Sequence, residues 1–211
     1  MSRSSDIAVR ERLLASALEL FTRKGYASTT VREIVTTAGV TKPVLYYYFR
    51  KKEGIYLELI HRVSSKFDVL LDGLGHGHGS VTERLLHFSD EVFSLFMENI
   101  EVARLMYSIY YGPPQGAPFF DFESYQLKFQ HRIRCLIKEG IRQEEFQKGR
   151  LEDMMWAILG AVNIAMEVQL CHPGMGVDRK RLARILNLFF RGIWGDKMRP
   201  KRGRSAAHPL D

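Results

Sequence analysis

The stretch Thr29–Glu53, TTVREIVTTAGVTKPVLYYYFRKKE, decides how the rest of this 211-residue chain is read. Thr30 and Glu33 stand at the spacing of a capping box, in which hydroxyl and carboxylate each satisfy a backbone N–H at a helix start. Val31, Ile34, Val35 and Ala38 then fall on one face of a short helix, and Gly39 ends it. Thr41 is placed to cap a second short helix reaching about Tyr48, with Pro43 tolerated in a first turn whose N–H groups lack helical partners. On that helix Leu45 and Phe49 point inward with Val40, which leaves Lys42, Pro43, Tyr46 and Tyr47 outward. Exposed phenols beside a lysine suit DNA better than water: the OH bonds a phosphate or base edge, and the ring packs on sugar or a thymine methyl. Arg50, Lys51 and Lys52 open the next helix, where ammonium groups and free backbone N–H groups together hold a phosphate.

Working outward, Leu14, Ala17, Leu18 and Phe21 mark a preceding helix over about Ser5–Lys24, stopped by Gly25. Helix, short helix, glycine turn, short helix is the pattern of a helix-turn-helix, whose last helix enters the major groove. The charge agrees. The chain carries 31 Lys and Arg against 24 Asp and Glu, and residues 1–52 hold 10 of the basic side chains but 4 of the acidic ones. Residues 53–195 are slightly acidic and residues 196–211 basic, so the excess sits at the ends, where a polyanion-binding module belongs.

The string Thr29–Glu53 resembles the N-terminal domain of the TetR family of bacterial transcriptional regulators, matching T-x-x-x-I-x-x-x-A-G-V-[ST]-x-x-x-[LI]-Y-x-[HY]-F-x-x-K-E. The resemblance spans residues 10–57, about the first quarter of the chain. It implies a homodimer that places one helix-turn-helix per subunit in successive major grooves of a palindromic double-stranded DNA operator. Thr30, Lys42, Tyr46, Tyr47 and Lys52 fall on positions that commonly touch DNA in that family, and Thr41, Pro43 and Val44 complete the expected DNA-binding set. Pro43 and Val44 depart from the family's small residue followed by Thr; a hydroxyl is missing, and a Val methyl can instead meet a thymine methyl.

Beyond residue 52 the chain again reads as helix: about Lys51–Leu71, Val81–Met97, Ile100–Tyr111, Phe119–Gln147, Leu151–His172 and Asp178–Trp194. Gly-rich Asp72–Ser80, Gly112–Pro118 and Pro173–Val177 separate some of these, and residues 196–211 form a basic, Pro-containing tail expected to be disordered. The fold expected is therefore all-α with about nine helices: a three-helix helix-turn-helix domain (1–52), a helical ligand-binding and dimerisation domain (53–195) and the tail. Residues 105–130 hold 8 aromatics, and Phe93, Phe96, Met97, Met106, Tyr107, Tyr110, Phe120, Tyr125, Phe129, Met155, Asn163 and Met166 make a set that suits either a packed core or a small-molecule pocket. The resemblance favours the pocket, since the family's variable body usually holds an inducer cavity, here for a small, mainly apolar or aromatic ligand.

The 151–172 helix is apolar on more than one face, with Gly160, Ala161 and Ala165 allowing close approach of a second backbone. The last helix carries a stripe including Leu186, Phe189 and Ile193, with Phe190 beside it. Two such helices per subunit build a four-helix dimer face. The longest charge-free apolar run, Met154–Met166, is 13 residues against about 20 for a membrane span, and no membrane role is expected. No secretory h-region opens the chain, and its two cysteines and His76/His78 complete no metal spacing, so a cytoplasmic protein without cofactor or metal is expected. Not an enzyme but a ligand-released repressor is the reading. Two alternatives stay open: a constitutive dimeric DNA-binding protein, and an all-helical enzyme drawing on Glu98, Asp121, Glu123 and His131.

Overall fold

Leucines and alanines three and four residues apart give α1 (Arg3–Lys24) one buried edge, made by Leu13, Leu14, Ala17, Leu20 and Phe21, before Gly25 at φ +85° ends it. The computed structural model describes residues 3–74, 78–112 and 116–194. The expected tail lies outside these, as does His76. Two short helices follow α1: α2 (Val31–Ala38) and α3 (Lys42–Phe49). Then come α4 (Lys52–Gly73), α5 (Val81–Glu98), α6 (Ile100–Tyr110), α7 (Phe122–Arg142), α8 (Leu151–Cys171) and α9 (Arg179–Ile193), with a 3-10 turn at Pro173–Met175. Among the described residues there are nine α-helices and no sheet; one isolated bridge pairs Phe146 with Trp194.

Two main apolar cores result. The first gathers α1, α2 and α3 with Ile55, Tyr56, Leu59 and Ile60 of α4 and Val102 and Leu105 of α6. The second gathers Leu71 and Leu74 with α5, α7, α8 and α9. The expected domain boundary at residue 52 is where α4 starts, but the cores hand over farther along that helix, between Ile60 and Phe67. α4 is thus one continuous helix anchored in both cores.

Helix α7 is shorter than its periodicity suggests, running Phe122–Arg142 rather than Phe119–Gln147. Asp121 caps its start by accepting from Ser124 N at 3.0 Å. At its end Glu144 takes φ +61°, and the chain turns back so that Phe146 stacks on Phe190 with centroids 5.9 Å apart. Gly140 makes room, since a Cβ there would lie 2.4 Å from Phe146 Cδ2. The same turn buries Glu145, whose carboxylate accepts from Val81 N at 2.7 Å and Thr82 N at 2.6 Å at the start of α5.

By length and composition α8 is apolar enough to cross a membrane, with a mean hydropathy of 1.5 over 18 residues, which the 13-residue charge-free run did not suggest. Its Met154, Met155, Ile158, Leu159 and Val162 are buried in the second core, while Trp156 and Ile164 on the same helix are exposed.

Candidate DNA-reading surface and effector body

The DNA-facing module is assembled by local chemistry. Glu33 N donates to Thr30 Oγ1 at 3.3 Å, and Thr30 N donates to Glu33 Oε2 at 2.9 Å, which completes the capping box. Lys24 Nζ reaches Glu33 Oε1 at 2.5 Å, and this ammonium together with the Thr30 donors holds the Glu33 carboxyl down at about 2. Gly39 turns the chain at φ +64°, so that Val40 N closes on Val35 O at 2.9 Å. Helix α3 then lies across α1. Leu45 and Phe49 are buried, Tyr48 OH donates to Asp6 Oδ1 on α1, and Arg10 lies over the Phe49 ring at 5.3 Å.

What this leaves outward is the expected reading edge. Thr30, Thr41, Lys42 and Pro43 are exposed, as are Tyr46 at 47% and Tyr47 at 76%. Three expectations change in detail. Thr41 is the N-cap of α3 by its extended backbone, but its hydroxyl makes no capping bond. Val44 is half-buried against the module's own core rather than fully exposed. Lys52 points inward: its Nζ donates to Tyr26 O at 2.8 Å and Thr29 O at 2.9 Å and sits 4.1 Å from the Tyr26 ring centroid. Two of its three protons are thereby committed inside the module, and burial pulls its pKa below the ordinary lysine value. The cations left free to meet a phosphate near the start of α4 are Arg50 and Lys51, both exposed, although Lys51 also pairs with Glu53. No sequence signal marked Lys52 as structural, because its acceptors lie 23 and 26 residues away.

The twelve residues expected around a ligand do not surround one cavity. Phe93, Phe129 and Met155 are buried in the second core, and Met166 packs at its margin. Phe96 joins Ala103 and Leu170 in a small third cluster, with Tyr107 and Met166 against it. Met106 and Phe120 pack instead on the DNA module's core. Met97 and Tyr110 are exposed and Asn163 is half-buried. The physical reason is that the rings satisfy one another. Phe88, Phe129, Phe67, Tyr125, Phe120, Phe122, Tyr110 and Tyr111 form a continuous run of ring contacts at 4.8–6.5 Å from the core to the surface. An open groove of about 570 Å³ lies elsewhere, between α4 and α7, lined by Asp68, Leu71, Asp72, Lys128, His131 and Arg132.

The residues named for a dimer face divide. Ala165, Leu186, Phe190 and Ile193 are buried in the protomer's own core, so they correct the expectation that they face a partner. Gly160, Ala161 and Phe189 are half-buried, and the apolar side chains that project from the same two helices are Trp156, Ile164, Ile185 and Leu188. The acids considered for an enzyme do not converge: Asp121 caps α7, Glu98 and Glu123 are exposed, and His131 faces Cys135 Sγ at 3.6 Å. Among the described residues no group of three or more His, Cys, Asp or Glu can hold a metal.

Comparison with known proteins meets this geometry at the DNA module. Residues 13–59 match the family model described as bacterial regulatory proteins, tetR family. The HTH-type transcriptional regulator YdgC of Bacillus subtilis (strain 168) is 29% identical over 147 residues, covering 68% of this chain and 69% of that protein. Among solved structures, the TetR family transcriptional regulator PfmR from Thermus thermophilus superposes with a TM-score of 0.66 at 21% identity, covering 85% of this chain and 97% of that one. NalD of Pseudomonas aeruginosa, the secondary repressor of the MexAB-OprM multidrug efflux pump, gives 0.67 at 19% identity, covering 92% and 100%. At such identities the two structures establish a shared fold, while the family model and YdgC carry the DNA-reading module. Residues 13–59 thus carry a DNA-binding module matching that of the tetR family of bacterial regulatory proteins, and the chain is similar over two thirds of its length to an HTH-type transcriptional regulator.

Proposed function

We propose that this regulator is a homodimeric repressor that leaves a palindromic operator when a small, mainly apolar or aromatic molecule binds its body. The carrying observation is the construction of α3, which exposes Lys42, Pro43, Tyr46 and Tyr47 above the fully buried Leu45. Lys42 supplies phosphate attraction, and the two phenols supply base-edge and sugar contacts. Trp156, Ile164, Ile185 and Leu188 on α8 and α9 form the partner-facing surface, flanked by Gly160, Ala161 and Phe189. In the dimer the two α3 helices must stand about one DNA turn apart, roughly 34–36 Å, to reach both half-sites. A ligand that fits a different setting of α4 better pulls the population away from that spacing, by no more than its differential affinity for the two states. The proposal puts the chain in the cytoplasm, where operator DNA lies.

The test is selection of a duplex from a random pool, followed by fluorescence anisotropy of the selected site at several salt concentrations. A palindromic site bound at two protomers per duplex, with affinity falling steeply as salt rises, is expected. Selection of no common sequence, or binding by single protomers, defeats the proposal.

A further inference from the structure

Tyr47 stands 76% exposed on the reading edge, and among the described residues its OH has no hydrogen-bond partner. A ring so placed is free to swing, and ordering it when DNA arrives lowers affinity. One contact opposes the swing. The Tyr48 ring meets Tyr47 edge-on, with centroids 5.0 Å apart and planes at 78°. Successive helical positions diverge by about 100°, so neighbouring rings meet only when one leans toward the other. Tyr48 is itself fixed. Its ring packs half-buried on the first core, 6.2 Å from the Phe49 ring, and its OH crosses to α1 and donates to Asp6 Oδ1.

Asp6 is an odd acceptor for a surface that meets phosphates. Residues 1–52 hold four acids, and three of them are paired with a cation: Glu11 with Arg62, Glu19 with Arg23 and Glu33 with Lys24. Among the described residues Asp6 has no such partner, because Arg10, one turn on, is given to Glu58 at 2.8 Å. Its negative charge therefore stands uncompensated beside the reading edge and opposes DNA of every sequence. What the carboxylate supplies in return is a charge-assisted bond that keeps Tyr48 in one place.

We propose that Asp6 and Tyr48 are positioning residues for sequence reading: Asp6 holds Tyr48, Tyr48 holds the Tyr47 ring toward the base edges, and neither of the two touches a base itself. The link to DNA rests on the regulator proposed above; the holding of Tyr47 does not.

The two parts are measured separately, on the full-length protein. The holding is read without DNA, from three-bond Hα–Hβ couplings of selectively labelled Tyr47. Wild type and Asp6→Asn, which keeps an acceptor oxygen, show one dominant χ1 rotamer, while Asp6→Ala and Tyr48→Phe show averaging. An averaged Tyr47 in wild type, or a single rotamer in both Asp6→Ala and Tyr48→Phe, overturns the holding. Discrimination is read as the ratio of affinities for the selected duplex and a scrambled one, a ratio that cancels any loss of folded protein. Tyr48→Phe and Asp6→Ala lower it roughly twofold to tenfold per half-site, the range expected when a side chain must be ordered on binding. Asp6→Asn keeps the ratio and binds both duplexes more tightly, because only the opposing charge is gone. In a Tyr47→Ala background Tyr48→Phe has no further effect, since it acts through that ring. An unchanged ratio in Tyr48→Phe, a ratio that Asp6→Asn fails to keep, or additive losses from Tyr47→Ala and Tyr48→Phe overturns the positioning role. So does a salt dependence flattened by about one unit in Tyr48→Phe, the mark of a phosphate contact made by Tyr48 itself. A chain that selects no DNA sinks the regulator reading, and the couplings still decide whether Asp6 and Tyr48 hold Tyr47.

Discussion

Lys42 and Lys52 bracket α3, ten residues apart, and the same side chain serves opposite purposes at the two positions. Lys42 is exposed at the first turn of α3, whereas Lys52 holds the carbonyls of Tyr26 and Thr29. Lys42→Ala is therefore expected to weaken operator binding on all sequences alike and to flatten the log–log salt dependence by about one unit per site, as loss of a phosphate contact does. Lys52→Ala is expected to leave that slope intact and to cost about 2 kcal/mol of folding stability in urea melts, since two hydrogen bonds from a charged donor disappear. Equal slopes for wild type and Lys42→Ala, or a flattened slope in Lys52→Ala, would reverse the two assignments. The capping box was readable because its partners stand three residues apart and the chemistry is local. The inward turn of Lys52 was not, because its acceptors belong to a turn formed by a different pair of helices.

Glu33 carries a second test at this scale. Its carboxyl is held at about 2 by the Lys24 ammonium and by the Thr30 donors, against an ordinary value of 4.5. A lowered folded-state pKa contributes stability that is fully present above the unfolded value and lost as pH falls through the folded one. Glutamine keeps the geometry of the box but cannot ionise. Glu33→Gln is thus expected to be less stable than wild type near pH 7, with the gap closing between about pH 5 and pH 2. Chemical melts across that range measure it, and a gap independent of pH would show that the charge of Glu33 contributes nothing.

At the scale of elements, helices bounded by glycine or a capping residue were legible within a residue or two, as in α2, α5 and α9. Helix α7 was not. Its apolar periodicity continues past Arg142, yet the chain breaks because Phe146 finds a better place stacked on Phe190 and Glu145 finds two free N–H groups on α5. Both partners are more than forty residues away, so no local pattern announces them. Gly140 is the enabling residue. In a free helix Gly→Ala would be stabilising by up to about 1 kcal/mol, but here the methyl would press on a buried ring with no open side. Gly140→Ala is expected to destabilise by about 1–3 kcal/mol through overpacking, with loss of the Phe146 stack. Thermal melts with ring-proton chemical shifts of Phe190 check this; a more stable variant would mean that Phe146 has room to move.

The described residues form two main cores joined by α4, which is buried in both; α6 adds Val102 and Leu105 to the first. The aromatic residues of the body were visible as a cluster in the sequence, but composition could not say whether they would line a space or fill it. Phe93 and Phe129 fill it together with Met155, and Phe67, Tyr125, Phe120, Phe122 and Tyr110 pair ring to ring out toward the surface. Which residues of α8 and α9 face outward was not legible in the sequence, because an amphipathic stripe looks the same whichever neighbour it meets. Leu186 and Phe190 meet their own core, which leaves Trp156, Ile164, Ile185 and Leu188 exposed, the partner surface proposed above. Leucine 70% exposed at 188 and tryptophan 54% exposed at 156 are costly for a lone protomer and ordinary inside an interface. A glutamate at each of two such sites places like charges in an apolar contact when two copies meet. Ile164→Glu/Leu188→Glu is accordingly expected to sediment as a folded monomer at concentrations where wild type is dimeric, because neither side chain supports its own core. That monomer keeps an intact α3, so it should still hold one half-site weakly and lose the hundredfold or greater gain, in order of magnitude about 10² to 10⁴, that linking two heads provides. Leu186→Ala is the matched control: it should lower the melting temperature without changing the sedimentation coefficient of the folded fraction, since the cavity it leaves lies inside one protomer. If the two results exchange places, the outward stripe belongs to something other than a second copy of this chain.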